Sequence, residues 1–331
     1  MVVIAPNLGP DLEWLTDVDP RLEVLDGIAV AQDIDSGKPL LEDAEVILLG
    51  YPVPHGIVER APHLRWVQHT QAGVSNLHGT DLWDSQVILT SSRGAVAATG
   101  IAEYVIASAY YFARGLHEAT RQKAAGEFSR GGYGLRALTG ATIGIVGLGG
   151  IGAEVARLAR AAGMQVVATR RSVASPQRDT EGVDLLLPAD QVAELAAASD
   201  FVAVCVMLTP ATEKMIGAQV LAAMKPHAVL INVARGEVID EDALIAALQT
   251  GRIAGAVLDV YAGELAGRPP RRELLEFPQV VLTPHISGRA IRAAMNPSNG
   301  CSPRISGGTS KGSPCRTSST VPAGIDLRGT P

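Results

Sequence analysis

The chain has 331 residues, of which 47% are hydrophobic and 19% are charged, and this length is sufficient for two domains with separate cores. The formal net charge of −6, with no long run of Lys or Arg, argues against nucleic acid or an anionic membrane as the main partner. The three cysteines show no CxxC or metal-ligand spacing, so we expect neither a disulfide framework nor a bound metal.

The pattern of apolar and polar segments in the first hundred residues predicts the beginning of a small α/β domain. Short apolar runs at 2–5, 46–49, 64–69 and 87–90 alternate with polar or helix-like segments. The N-terminal segment lacks the basic region of a signal peptide, and its apolar stretch is too short to span a membrane. We therefore expect a cytoplasmic protein, and we assign residues 1–100 to the first part of one domain.

The pattern changes after Gly100. Apolar residues follow helical spacing until Gly115, and six nearly continuous apolar runs then alternate with helical stretches; these runs lie at 141–146, 164–168, 201–206, 228–233, 253–260 and 280–284. Strands without alternation are typical of a parallel sheet covered on both faces. We predict a Rossmann-type, doubly wound parallel sheet at 101–286, inserted into a second, flavodoxin-like α/β domain.

The C-terminal segment has a different composition. Residues 287–331 should complete the first domain, yet beyond about residue 296 the chain is rich in Ser, Gly, Pro and Thr and cannot supply a core, so we predict disorder there. A single-base deletion near Asn296 would explain this. Across residues 304–320 the shifted frame permits ENLRRYLEGEPLPNVVD, which has a helical apolar pattern.

A glycine-rich turn follows the strand predicted at 141–146. Gly147, Gly149 and Gly152 have GxGxxG spacing, and Gly150 and Ile151 open the next helix. The first glycine permits a tight turn, the second lets a pyrophosphate approach the backbone, and the third allows close packing of helix and strand. The helix N-terminus then faces the phosphates. These residues predict a dinucleotide-binding site.

The next strand ends in Arg170 and Arg171, where an acidic residue would contact the adenosine ribose. Two guanidinium groups are available there for a 2′-phosphate, so we expect NADP to be preferred, with NAD possible. The alternative is that both arginines are exposed surface residues.

Three residues that follow apolar runs carry the chemistry of carbonyl reduction: Arg235, Glu264 and His285. Reduction by hydride produces an alkoxide, so the reaction needs an acid and a fixed positive charge beside the substrate carboxylate. His285 and Arg235 supply these, and a carboxylate at Glu264 would favour the protonated imidazole. Each residue alone could be structural, but their order behind a dinucleotide turn indicates a dehydrogenase.

From about Leu64 to Gly288 the sequence resembles the D-isomer-specific 2-hydroxyacid dehydrogenase family. The matching strings include HTQAGV, VGLGGIG, NVARGEVIDEDALIAAL, GAVLDVY and LTPHISG. The resemblance implies NAD(P)-dependent reduction of a 2-keto acid by a homodimer. It implies that Arg235 holds the substrate carboxylate, that His285 donates the proton and that Glu264 is its partner.

The resemblance also implies further contacts. Backbone N–H groups of Ala72, Gly73 and Val74 would receive the substrate carboxylate, although an ordinary turn is the alternative, and Val233 and Asp259 would contact the cofactor, although Asp259 could instead be a buried structural residue. The chain departs from the family pattern at Ser75, where an acidic residue is usual, and at Met207, where proline is common.

Three alternatives remain open. A formate dehydrogenase shares the fold and the Arg–His pair, but that family has glutamine where this chain has Glu264. A cofactor-sensing regulatory protein could retain the trio, although we see no basic DNA-facing segment. An inactive family member with a damaged C-terminus is the third. The choice among 2-keto acids is not predicted.

Overall fold

The computed structural model describes residues 2–4, 29–31, 41–50, 53, 55–69, 77, 79–91 and 97–288. The predictions for Ala72, Gly73 and Val74, and for the C-terminal segment beyond residue 288, lie outside these residues. Within the described part of the chain, no helix is long and apolar enough to cross a membrane. The chain consists of two compact units, the second of which is formed by residues 94–291.

The first unit contains a five-stranded sheet in which every pairing is parallel. Its elements are strands β1 (Val2–Ile4), β2 (Ala29–Ala31), β3 (Val46–Leu49), β4 (Trp66–His69) and β5 (Ile88–Ser91), and helix α1 (Ile57–Arg60). The strand order is β2-β1-β3-β4-β5. This is the flavodoxin-like order, so the predicted architecture of this sheet is confirmed.

The second unit contains an eight-stranded sheet with helices between the strands. The strands are β6 (Thr142–Val146), β7 (Gln165–Arg170), β8 (Gln177–Thr180), β9 (Val183–Pro188), β10 (Phe201–Val204), β11 (Val229–Asn232), β12 (Gly255–Leu258) and β13 (Val280–Leu282). The helices are α2 (Ala97–Ala113), α3 (Leu116–Ala124), α4 (Gly150–Ala161), α5 (Val192–Ala198), α6 (Ala218–Ala223), α7 (Glu241–Gln249) and α8 (Arg272–Glu276).

Side chains of the eight-stranded sheet are buried on both faces. In β10, Val202 and Val204 belong to one core cluster, whereas Phe201 and Ala203 belong to the cluster on the other face. Burial on both faces explains why these strands read as continuous apolar runs without alternation. The doubly wound sheet predicted from these runs is confirmed.

The position of the candidate ligand site follows from the strand order, which is β13-β12-β11-β10-β6-β7-β9-β8. The chain builds outward from β6 in one direction through β7 and in the other through β10, so the order reverses beside β6. In doubly wound sheets, ligands bind at the carboxyl ends of the strands at this reversal point. The glycine turn directly follows β6 and therefore lies at the expected position.

One hairpin was not predicted. The pairing of β8 with β9 is the only antiparallel pairing in this sheet among the described residues. The sequence of β8, QRDT, is polar and its first three residues are exposed. An exposed edge strand needs no apolar pattern, because only its backbone groups are paired with the sheet. Sequence periodicity therefore carried no signal for it.

Candidate active site

The glycine turn has the close packing that its sequence predicts. Gly147 has a φ of +96°, which favours glycine, and a Cβ on Gly152 would lie 2.3 Å from the Gly147 carbonyl oxygen. The end of β7 holds the turn, because the N–H of Leu148 donates to the Thr169 carbonyl (2.8 Å) and the N–H of Gly147 to Thr169 Oγ1 (3.2 Å). The turn is thus built into the sheet.

The space above the turn fits a pyrophosphate. Apart from Gly149 and its two chain neighbours, no atom of the described residues lies within 4 Å of the position that a Cβ on Gly149 would occupy. Helix α4 begins at the next residue, Gly150, followed by Ile151, so the first N–H groups of a twelve-residue helix border this open space. Positive helix-end charge and an accessible backbone suit a phosphate anion. The residues present therefore fit a dinucleotide.

The charged groups near the end of β7 differ in one respect from those predicted from the sequence. Arg171 is exposed, but the guanidinium of Arg170 forms an ion pair with the carboxylate of Glu181, in the turn between β8 and β9. A carboxylate is therefore present beside Arg170, although none occurs next to it in sequence.

His285 and Glu264 are brought together. The Nδ1 atom of His285 lies 2.5 Å from Oε1 of Glu264, and their side chains are 40% and 10% exposed. His285 has a φ of +53°, a conformation that is uncommon for a residue other than glycine. Such strain occurs where the surroundings hold a residue in place, frequently at functional sites.

Asp259 is the residue that holds the histidine loop. Its side chain is fully buried, and its carboxylate accepts hydrogen bonds from Thr283 Oγ1 (2.6 Å), Ile286 N–H (2.8 Å) and Ser287 N–H (3.0 Å). Its carbonyl oxygen also accepts from the N–H of His285 at 2.9 Å. These contacts on both sides of His285 support the structural reading of Asp259.

Tyr104 extends this network and was not singled out from the sequence. Its hydroxyl lies 2.6 Å from Thr283 Oγ1, and since that oxygen donates its own proton to Asp259, the phenol is the donor. Burial raises the pKa of Tyr104 above its ordinary value. The phenol therefore keeps its proton at neutral pH.

Two glutamates support the loop that carries Glu264. The carboxylate of Glu237 accepts from the N–H of Gly263 at 2.9 Å, and that of Glu241 accepts from the N–H of Ala262 at 2.9 Å. Both glutamates belong to the string that follows Arg235, so this segment orders the neighbouring loop. The sequence could not reveal these contacts, because they join residues more than 20 positions apart.

Arg235 follows β11, three residues beyond its last strand residue, Asn232. The side chain of Asn232 spans this bend, accepting from Ala234 N–H and donating to the Arg235 carbonyl, both at 3.0 Å. The Arg235 guanidinium is partly buried and donates to the Ala234 carbonyl at 2.7 Å. Val233, between them, is buried. Because β11, β12 and β13 are adjacent parallel strands, Arg235, Asp259 and His285 all follow the same edge of the sheet.

The end of β10 contributes no ionised group. Cys205 is partly buried, and desolvation raises the pKa of its thiol to about 12, so it stays neutral and unreactive at physiological pH. Met207, at the position where the family pattern has proline, is exposed.

Residues 106–287 match the sequence profile described as "D-isomer specific 2-hydroxyacid dehydrogenase, NAD binding domain". The glyoxylate reductase of Thermococcus litoralis is 35% identical over 257 residues, covering 74% of this chain and 73% of that protein. The D-3-phosphoglycerate dehydrogenase of Methanocaldococcus jannaschii is 32% identical over 287 residues, covering 86% of this chain and 52% of that protein. The chain thus spans about half the length of the phosphoglycerate dehydrogenases that it matches.

Among solved structures, a D-isomer specific 2-hydroxyacid dehydrogenase from Xanthobacter autotrophicus Py2, in complex with NADPH and MES, superimposes with a TM-score of 0.73 at 29% identity. The superposition covers 88% of this chain and 89% of that one. The profile match extends over more than half of the chain, and it includes the glycine turn and all three residues of the trio. The chain belongs to the D-isomer specific 2-hydroxyacid dehydrogenase family.

Proposed function

We propose that this chain is an NAD(P)-dependent oxidoreductase that interconverts a 2-keto acid and a D-2-hydroxy acid. The observation that carries the proposal is the contact between His285 and Glu264, on loops that follow the same sheet edge as Arg235. An acid, its counter-ion and a fixed cation are the groups that carbonyl reduction requires. The glycine turn after β6 supplies the cofactor site at the point where the strand order reverses.

In the proposed mechanism, Gly147, Gly149 and Gly152, with the N-terminus of α4, would hold the pyrophosphate of a nicotinamide dinucleotide. When bound, that cofactor would supply the hydride. The guanidinium of Arg235 binds the substrate carboxylate and orients the keto carbon, and its positive charge stabilises the oxygen that becomes an alkoxide.

His285 is the proposed proton donor. In the protonated imidazole, Nδ1–H faces Glu264, which leaves Nε2–H to donate to the substrate oxygen. The carboxylate of Glu264 stabilises the charged ring and fixes its orientation. In the oxidative direction the same nitrogen accepts the proton of the hydroxyl group. The bond to Glu264 makes this assignment of the two ring nitrogens specific.

For the cofactor we propose a preference for NADP. Arg170 and Arg171 lie side by side in the chain at the end of β7, where the ribose of a bound dinucleotide would lie, and the exposed Arg171 is available there to a 2′-phosphate. The solved relative from Xanthobacter autotrophicus holds NADPH, which is consistent with this preference.

A substrate panel tests the proposed function. Purified protein is assayed with glyoxylate, hydroxypyruvate, pyruvate and a bulkier 2-keto acid, each with NADPH and with NADH. We expect reduction of at least one, faster with NADPH. Arg235→Ala should raise KM and lower kcat, since it removes both the carboxylate anchor and the charge near the alkoxide. Arg272→Ala is the matched control, because this arginine is exposed and forms an ion pair with Glu276 on the surface of α8. An unchanged kcat/KM in Arg235→Ala would overturn the assignment.

A further inference from the structure

The ion pair between Arg170 and Glu181 joins positions far apart on the sheet. Arg170 is the last residue of β7 and is paired in register with Pro188, the last residue of β9. Glu181 instead precedes Val183, the first residue of β9. A strand advances about 3.3 Å per residue, so the start of β9 lies about 16 Å from its end. The guanidinium that meets Glu181 therefore lies back along the sheet, toward the amino ends of the strands.

A second contact places the Glu181 turn at the same end. Arg160 donates to the Gly182 carbonyl at 3.5 Å and forms an ion pair with Asp184 at 3.1 Å. Arg160 is in the last turn of α4, whereas the first turn of that helix borders the open space at Gly149. Ten residues of helix span about 15 Å. The turn that holds Glu181 is thus at the end of α4 away from the phosphate site.

We propose that Glu181 is a specificity-determining residue, which holds Arg170 away from the adenosine 2′-phosphate and so weakens NADP(H) binding relative to NAD(H). This inference rests on the proposed function, since it requires a nicotinamide dinucleotide at the glycine turn. For NADPH to use Arg170, the guanidinium must leave Glu181 and turn toward the carboxyl edge of the sheet. NADH has no 2′-phosphate and requires no such change.

The exposure of the pair makes the exchange feasible. The side chains of Arg170 and Glu181 are 39% and 49% exposed, and exposed ion pairs are weak and screened by salt. A 2′-phosphate offers the guanidinium more charge than a carboxylate does. Arg171 is exposed, and no ion pair to it is found among the described residues. It therefore attracts the phosphate whether or not Arg170 is paired with Glu181. Removing Glu181 should therefore strengthen NADPH binding by about two- to fivefold.

Equilibrium binding of NADPH and NADH, followed by cofactor fluorescence, tests the proposal without turnover. In Glu181→Gln we expect the Kd of NADPH to fall about two- to fivefold and that of NADH to stay unchanged. In an Arg170→Ala background, the same substitution should have no effect, because the competing guanidinium is gone. Glu276→Gln is the matched control. It removes one exposed carboxylate from an ion pair with Arg272 and should leave both affinities unchanged.

Three results would overturn the inference. Weaker NADPH binding in Glu181→Gln would mean that Glu181 positions Arg170 for the phosphate. Unchanged NADPH binding, or an equal gain for NADPH and NADH, would mean that the pair has no part in cofactor choice. A wild-type protein that binds neither cofactor would instead refute the proposed function itself, and the two failures are therefore distinguishable.

Discussion

Replacing Asp259 with Asn should loosen the loop that carries His285. The two side chains have the same shape, so no cavity forms. An amide, however, has one acceptor oxygen where the carboxylate has two. If the amide oxygen keeps its bonds to Thr283 and Ile286, the NH2 group faces the N–H of Ser287 and two buried donors are left without acceptors. If the amide turns over, the other two bonds are lost.

The cost follows from these contacts. A hydrogen bond to a charged group contributes about 1.5–3 kcal/mol, and a buried donor left unsatisfied costs about 1–3 kcal/mol. We expect Asp259→Asn to lower the free energy of unfolding by about 2–4 kcal/mol, which a domain with 5–15 kcal/mol of stability tolerates. Because misplacement of a reacting group by about 1 Å costs up to a hundredfold in rate, kcat should fall about ten- to hundredfold.

Asp200→Asn is the matched control for stability. Asp200 lies at the opposite sheet edge, where its carboxylate accepts from Thr142 N–H (2.8 Å), Lys225 (3.0 Å) and His227 (2.7 Å). Burial tends to raise the pKa of Asp200, but these hydrogen bonds outweigh it and hold the pKa below its ordinary value. We expect a comparable loss of stability, about 1–3 kcal/mol, with kcat unchanged.

Urea unfolding, steady-state kinetics and cofactor binding separate the possible roles of Asp259. A lower kcat with an unchanged Kd for NADPH is expected if Asp259 holds the loop, whereas a raised Kd would support a direct contact with the cofactor. Wild-type stability and wild-type kcat in Asp259→Asn would refute the reasoning.

Three further predictions concern the same unit. Glu264→Gln should lower kcat, because the charged ring of His285 loses its counter-ion; an unchanged kcat would remove Glu264 from the mechanism. The stability that Asp200 contributes should be present above pH about 4 and be lost as the pH falls through its lowered pKa, so urea unfolding of wild type and Asp200→Asn should converge in acid. Gly149→Ala should keep the Tm but weaken NADPH binding, whereas Gly152→Ala should lower the Tm as well, since its Cβ meets a carbonyl oxygen at 2.3 Å; equal effects would contradict this.

Much of the second unit could be predicted because its signals are local. Buried strands read as apolar runs, and the glycine spacing of the turn reflects contacts between residues only a few positions apart. The apolar run at 46–49 in the first unit coincides with β3, again because a buried strand can be recognised from its own apolar residues. The trio could also be proposed, since each of its members follows an apolar run.

The contacts that organise the site could not be predicted. The bonds from Asp259 to the histidine loop join residues 24–28 positions apart, and they depend on the pairing of β12 with β13. The pair of Arg170 and Glu181 depends on a hairpin whose edge strand is polar. In both cases the decisive information lies in strand register, which a single sequence leaves open.

The most direct test of the account is the rate at which His285→Gln reduces a 2-keto acid. General acid catalysis contributes about 10²- to 10⁴-fold, so we expect kcat/KM to fall by at least a hundredfold while the Kd of NADPH and the Tm stay near wild type. His285 is partly exposed at the end of its loop, so the substitution leaves the core intact. A variant that keeps the wild-type kcat/KM would contradict the central claim that His285 delivers the proton.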